Sequence, residues 1–313
     1  MHIKTAIAKD LSIPERLIDE AISAARAHVK VFHIDKKSGG SREIFHPSKK
    51  LKTLQYWFIY SVFSRMPVHG ASMAYREGIS ILHNANKHRS MRFFLKMDLE
   101  NFFPSISFDD FIPILREWYG LEKPNWILDQ ETEQIIRRVC FYRNDRLAIG
   151  YPSSPVISNI VMMKFDTKVK SLISGDKYGP VIYTRYADDL VFSTDKKGTC
   201  SELKKELVTL IQTTTSPNIT VNHNKTKLGS STGGTASVTG LKICAAGHIT
   251  IHRKQKDHIR LLLSLYKKGY LRKVEESSLL GHLSYCHYVA PDFYTKISRK
   301  YFKEIHELRT NDL

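Results

Sequence analysis

The chain has 313 residues, 42% hydrophobic and 25% charged, with 15 Phe and 15 Tyr against 16 Gly and 11 Pro. That is enough apolar material for a full core, in one large domain or in two or three subdomains, and it excludes disorder over most of the length. Forty-eight Lys and Arg against 31 Asp and Glu leave a charge of +17 spread along the chain. It points to a polyanionic partner, nucleic acid first, with an ordinary basic surface as the plain alternative.

No apolar run reaches the roughly 18 residues needed to cross a bilayer, and no basic amphipathic helix marks a membrane surface. The four cysteines, Cys140, Cys200, Cys244 and Cys286, lie far apart, which signals neither a zinc module nor a disulfide framework. The first residues hold no apolar signal core, so a cytoplasmic protein with no membrane partner is expected.

In chain order, Ser12-Ile13-Pro14-Glu15 has capping-box spacing, and Leu17, Ile18, Ala21, Ile22 and Ala25 follow at helical intervals. A helix is therefore predicted to open the protein. Residues 29–34 alternate as a strand, Lys36-Lys37-Ser38-Gly39-Gly40-Ser41 reads as a turn, and Arg42-Glu43-Ile44-Phe45 returns, giving a basic hairpin. From Ser48 to about Arg65, Leu51, Leu54, Trp57, Phe58 and Val62 make an amphipathic helix that Met66-Pro67 ends.

The middle alternates strands and helices: a strand at 92–98, helices starting near Ser107, across 129–140 and after Pro155, and a strand pair at 181–194. A helix at 201–213 and a strand at 219–222 lead to a Gly- and Ser-rich loop at 229–237, read as a subdomain boundary. Strands follow to about 250. Three short helices complete the chain, with Pro291 and Asp292 opening the last.

The chemistry concentrates at two strand ends. In Tyr183-Thr184-Arg185-Tyr186-Ala187-Asp188-Asp189-Leu190-Val191-Phe192-Ser193, two β-prone runs meet at adjacent acids. Two carboxylates aimed near one point repel unless a cation neutralises them, although Asp is also at home in a solvated hairpin turn. A second apolar strand, Phe93-Phe94-Leu95-Lys96-Met97-Asp98, ends in a third acid. Three carboxylates gathered at one sheet end suit two Mg²⁺ ions about 3.5–4 Å apart, the arrangement used for in-line phosphoryl transfer. His248 and His252 have helical metal-ligand spacing but fall where strand gives way to helix. His282, Cys286 and His287 read as a packed helix.

Tyr186-Ala187-Asp188-Asp189 together with the Asp98 strand resembles the palm of reverse transcriptases. The resemblance extends in family order from about residue 30 to 250. Its blocks are Arg42 with Pro47 and Leu51-Lys52-Thr53-Leu54-Gln55, the Asp98 strand with Phe102-Phe103, Gly150-Tyr151-Pro152-Ser153-Ser154-Pro155 with Ser158-Asn159, and Asn222-His223-Asn224-Lys225-Thr226. Asn84-Ala85-Asn86-Lys87-His88 and Val238-Thr239-Gly240 resemble short elements of the bacterial retron type in particular. Another short, intron-like reverse transcriptase and a catalytically silent RNA-binding module are the alternatives.

The resemblance implies an α+β right-hand polymerase with an antiparallel palm sheet: an N-terminal helix and fingers over 1–90, palm over 91–235, and primer-grip strands with a helical thumb over 236–313. It implies RNA-directed DNA synthesis from deoxynucleotides on a cognate structured noncoding RNA. Priming by a 2′-hydroxyl of that RNA would give branched multicopy single-stranded DNA, in an antiphage system with a separate effector protein.

By the same resemblance Asp98, Asp188 and Asp189 are the metal ligands, joined by the Leu99 carbonyl. Phe103 is an aromatic steric gate against a 2′-hydroxyl, or else a core Phe. Arg42 with Lys36 or Lys37 clamps the triphosphate, or else forms a solvated basic turn. Gly150 permits a close backbone turn at the nucleotide. Lys225 protonates departing pyrophosphate, or is a surface lysine. Asn84 and His88 contact RNA or form a hydrogen-bonded structural pair, and Val238, Thr239 and Gly240 bring a loop near a nucleic-acid backbone, or else Gly240 marks a strand bulge. One position departs from the family pattern: Ile149 stands where a Gln is usual, which puts nucleotide contacts there in doubt.

Overall fold

The computed structural model describes residues 2–35, 39–120 and 125–310. Two short helices come first, α1 (Ile3–Leu11) and α2 (Glu15–Ser23). The predicted opening helix is α2, which buries Ile18, Ala21 and Ile22. A helix precedes it, and Ser12 is not its N-cap. Ser12 ends α1 in the left-handed region (φ 54°), its N–H returning to the last turn of α1, so the expected capping box does not form and Pro14 holds the cap position.

β1 (Val29–Asp35) and β2 (Ser41–Pro47) form the expected antiparallel hairpin, Ile34 opposite Arg42. β1 is almost wholly solvent-facing, and only Phe45 and Pro47 of β2 turn into the body of the protein. α3 (Lys49–Ser61) starts at Ser48, whose Oγ accepts the Leu51 N–H at 3.3 Å, and buries Leu51, Leu54, Trp57 and Phe58. It stops short of Arg65 because Phe63–Arg65 tighten into a 3₁₀ turn. α4 (Ile81–Lys87) follows, capped by Ser80.

β3 (Phe93–Glu100) runs into α5 (Phe102–Ser105) and α6 (Phe108–Tyr119), where Ser107 and Asp110 cap reciprocally. α7 (Gln130–Cys140), α8 (Ser153–Val161) and α9 (Met163–Ile173) lead to β4 (Ile182–Tyr186) and β5 (Asp189–Thr194). α8 begins two residues before Pro155, with Pro152 as its cap. α10 (Thr199–Thr213), β6 (Thr220–Val221) and β7 (Lys227–Ser230) complete the central sheet. Its order is β4-β5-β3-β6, β7 also pairs with β3, and every pairing is antiparallel. Residues 229 and 230, predicted to be loop, therefore belong to a strand, with Phe93 opposite Ser230.

β3 is buried on both sides, and the alternation of its side chains divides two cores. Leu95, Met97 and Leu99 join the large core with α3, α6, α7, α8 and α9. Phe94, with Val191 of β5, joins a second core built by residues from Ala85 to Leu308. That second core includes a small antiparallel sheet of β8 (Ser237–Val238), β9 (Leu241–Ile243) and β10 (Ile249–Thr250).

Four helices, not three, then close the described chain: α11 (Arg253–Lys267), α12 (Lys273–Val289), α13 (Pro291–Lys300) and α14 (Phe302–Thr310). Pro291 opens the third. The break at Tyr301 (φ −123°, ψ 40°) carries no Pro or Gly to announce it. Among the described residues no helix is long and apolar enough to cross a membrane.

Candidate active site

β3 and β5 pair with Asp98 directly opposite Asp189. Opposed residues of an antiparallel pair share one sheet face with Cβ atoms about 4.5–5.5 Å apart, so the register alone sets these carboxylates side by side. Asp188 lies in the two-residue turn Ala187–Asp188 that joins β4 to β5, where Ala187 adopts a left-handed conformation (φ 56°). The Leu99 N–H donates to the Asp188 carbonyl at 3.0 Å, and the Asn222 N–H donates to the Asp98 carbonyl at 2.7 Å. The hairpin turn, the end of β3 and the turn after β6 are thus tied by backbone bonds, and the Leu99 side chain is buried beneath them.

Two ammonium groups already answer two of these acids. Lys225 Nζ lies 3.0 and 3.2 Å from the Asp98 oxygens, and Lys96 Nζ lies 2.9 Å from Asp189 Oδ2. Lys96 is two residues before Asp98 and so shares its face of β3. The Asp188 carboxyl is pushed above its ordinary pKa, first by burial and then by the charges of Asp189 and Asp98. Among the described residues no three His, Cys, Asp or Glu side chains stand as a ready-made ligand cluster. With both lysine heads on the carboxylates, the acids are close enough to repel yet turned toward ammonium partners.

Beneath this end of the sheet, Arg185 and Asp166 form a fully buried ion pair, Nη2 to Oδ2 at 2.7 Å and Nε to Oδ1 at 2.9 Å. Tyr183 Oη also donates to Asp166 at 2.7 Å, and Arg185 Nη1 donates to Asn159 Oδ1 at 3.2 Å. Each buried charge is therefore met by an opposite charge and by further hydrogen bonds, which is what burial of ions requires. The network fixes β4 to α8 and α9 immediately before the Ala187–Asp188 turn.

The residues expected at the nucleotide are placed by the elements that carry them. Phe103 is half-buried in α5, its ring centroid 5.4 Å from that of Phe102 and 6.3 Å from that of Tyr75. Arg42 is exposed on β2, on the opposite strand face from Phe45. Lys37, proposed beside it, lies outside the described residues, as does Lys36. Gly150 has φ +106°, and a Cβ there would stand 2.4 Å from the Phe45 carbonyl oxygen. The Phe45 N–H bonds to the Ile149 carbonyl at 2.8 Å, so glycine is the residue that lets the hairpin close on this turn. Ile149 presents a half-buried apolar side chain.

The two retron-like elements sit elsewhere, at the joint between the cores. His88 is fully buried, Nδ1 2.6 Å from Ser193 Oγ and Nε2 2.7 Å from Thr184 Oγ1, and burial pushes its imidazole down to about 3. Asn84 and Val238 are also fully buried. These three side chains do not reach the surface, so direct RNA contact by them is set aside; nor do Asn84 and His88 form a hydrogen-bonded pair, since His88 bonds Ser193 and Thr184 and the Asn84 side-chain amide has no hydrogen-bond partner among the described residues. Thr239 (φ 46°) donates from Oγ1 to the Ile81 carbonyl at 3.2 Å, and the exposed Gly240 (φ 80°) completes the β8–β9 turn. His248 lies in the loop before β10 and His252 caps α11, so the two do not share a helix.

A family model for "Reverse transcriptase (RNA-dependent DNA polymerase)" matches residues 34–282. The chain belongs to the reverse transcriptase family. It is similar to the retron Ec73 reverse transcriptase of Escherichia coli, 40% identical over 278 residues and 88% of each chain. It is also similar to the retron Ec83 reverse transcriptase of Escherichia coli, 30% identical over 286 residues, 89% of this chain and 88% of the relative. This reverse transcriptase is therefore of the bacterial retron type, an RNA-directed DNA polymerase.

Among solved structures it resembles a telomerase of Candida albicans in complex with a fragment of telomeric RNA, with a TM-score of 0.53 at 11% identity. The alignment covers 90% of this chain and 59% of the telomerase, so the reverse transcriptase spans little more than half of that neighbour. The likeness concerns the fold, a right-hand polymerase of mixed helix and antiparallel sheet.

Three features of the site escaped the sequence reading. Lys96 looked like one polar residue in an apolar strand, although its two-residue offset from Asp98 was the available signal. The Asp166–Arg185 pair spans 19 positions and carries no local signature. Tyr75 lies in an irregular segment between α3 and α4 with no periodic pattern.

Proposed function

We propose that this reverse transcriptase copies part of a cognate structured noncoding RNA into DNA from deoxynucleotides. Priming on a 2′-hydroxyl of the same RNA leaves a branched RNA–DNA product, multicopy single-stranded DNA. The observation that carries the chemistry is the opposition of Asp98 and Asp189 across β3 and β5 with Asp188 in the adjoining turn. The retron-type relatives support the choice of product.

The donor set fits divalent magnesium: the three side chains offer only oxygen, and Asp188 is raised first by burial and then by the charges of Asp189 and Asp98, which added positive charge would relieve. Asp98, Asp188 and Asp189, with the Leu99 carbonyl, would hold two Mg²⁺ ions. When bound, the ions supply charge for the primer oxygen and for the phosphate that it attacks. Around them, Arg42, with Lys37, holds the triphosphate, Phe103 stands beneath the sugar, and Gly150 keeps the fingers hairpin close. Lys225 is released from Asp98 to protonate pyrophosphate, the leaving group when the primer oxygen bonds to the α-phosphorus.

The working division is fingers over 1–90, palm over 91–235, and primer grip with thumb over 236–313. The β8–β9 turn at Thr239 and Gly240 approaches the nucleic-acid backbone. The scattered, unpaired cysteines support a cytoplasmic setting. Antiphage defence with a separate effector protein extends the retron resemblance.

The test is synthesis by purified protein carrying its neighbouring noncoding RNA, with the product probed by a debranching enzyme. Mg²⁺-dependent DNA that shifts on debranching is expected. Linear DNA made only on an added primer contradicts the branched product, and RNA binding without synthesis contradicts the catalytic reading.

A further inference from the structure

Tyr75 has an unusual combination of support and exposure. The four residues before it are fastened to the palm on two sides. Arg185 N–H donates to the Ala71 carbonyl and Met73 N–H to the Arg185 carbonyl, both at 2.8 Å. Asn159 Nδ2 donates to the Ala74 carbonyl at 2.9 Å, and Ser72 Oγ donates to Asn159 Oδ1 at 2.7 Å. Just beyond, Arg76 Nη1 returns to the Ser72 carbonyl at 3.1 Å.

On this anchored segment Tyr75 takes a left-handed backbone (φ 58°) and leaves its side chain 48% exposed. A bulky residue in that region is strained, and Gly or Asn would occupy it more easily. Neither burial nor backbone ease explains a tyrosine there.

The direction of the side chain does. Its ring lies 6.3 Å from Phe103 at 46°, in aromatic contact. Its phenol is held above the ordinary pKa first by burial and then by the charges of Asp188 and Tyr186, with Arg42 opposing.

We infer that Tyr75 is a specificity-determining residue for the incoming deoxynucleotide: held on its anchored, strained segment, its ring braces Phe103 against the sugar. This rests on the polymerase reading above. The braced gate holds its position when a 2′-hydroxyl presses on it, and an unbraced one yields.

Primer extension on RNA with deoxy- or ribonucleotides, comparing wild type, Tyr75→Phe and Tyr75→Ala, tests it. Tyr75→Ala is expected to raise KM for deoxynucleotides and to erode the deoxy-over-ribo preference, each by about three- to tenfold, as the loss of one aromatic contact implies. Melting temperature and RNA affinity stay at wild-type values. Tyr75→Phe, which retains the ring, keeps both the preference and the KM. Wild-type KM and preference in Tyr75→Ala overturn the inference while leaving the polymerase intact. So does a parallel loss of RNA affinity or melting temperature, which would make Tyr75 a scaffold residue. A wild type that binds RNA but extends no primer overturns the polymerase reading and the inference with it.

Discussion

Two sets of paired carboxylates occupy one end of the central sheet, and they are built differently. Asp166 faces Arg185 in a pair with no solvent exposure, reinforced by Tyr183. Asp98 and Asp189 face Lys225 and Lys96, whose side chains remain 53% and 33% exposed. A guanidinium held in a rigid fork and sealed from water cannot be exchanged without unfolding its surroundings, whereas a flexible ammonium at the rim of a cleft can leave. The first set is scaffold. The second keeps its counter-charges on partly exposed lysines, which the proposed metal ions would replace.

Breaking the replaceable set should abolish activity and spare the fold. Asp188→Ala is expected to lower nucleotide incorporation on the order of a thousandfold, since charge stabilisation by a metal contributes several kcal/mol. Its melting temperature should hold or rise, because a carboxyl repelled by Asp98 and Asp189 has been removed. Breaking the sealed set should do the reverse. Asp166→Ala strands a buried guanidinium and should cost about 3–5 kcal/mol in denaturant unfolding. Asp166→Leu with Arg185→Met should recover much of that loss if the pair is scaffold.

His88 sharpens the same comparison through pH. Its folded imidazole titrates near 3 and its unfolded one near 6.5, so between those values the unfolded chain binds the extra proton and stability falls with falling pH. The contribution amounts to about 2 kcal/mol lost between pH 7.5 and pH 5. Unfolding of wild type and His88→Gln across that range should show the slope shrink in the variant.

Gly150→Ala should cost about 1–3 kcal/mol through its clash with the Phe45 carbonyl. A rise in nucleotide KM should accompany it as the hairpin shifts. Smallest of all, Lys225→Ala and Lys96→Ala should each change stability by no more than about 1 kcal/mol, because both lysine side chains are partly accessible to water although Asp98 is largely buried. A larger loss in either would contradict the view that these ammoniums are exchangeable.

The elements that positioned the acids were legible because their signals are local. The apolar run ending at Asp98, the β-prone segments flanking Asp188-Asp189 and the helix starting near Ser107 all appear where expected. What stayed hidden depends on tertiary partners. α1 buries only Ile3, Ala6 and Ile7, too short a stripe to stand out, and β7 is a Gly- and Ser-bearing segment that becomes a strand by lying on β3. For Asn84 and His88 the sequence left RNA contact and a structural role equally open, because the partners that hold His88 come from distant strands.

The most direct measurement is single-turnover deoxynucleotide incorporation on primed RNA as a function of Mg²⁺ concentration, in wild type and Asp188→Ala. A saturable Mg²⁺ dependence in wild type, lost in a variant that still folds and binds RNA, is the expected result. Incorporation by Asp188→Ala at the wild-type rate would contradict the assignment of the acid cluster as the catalytic centre.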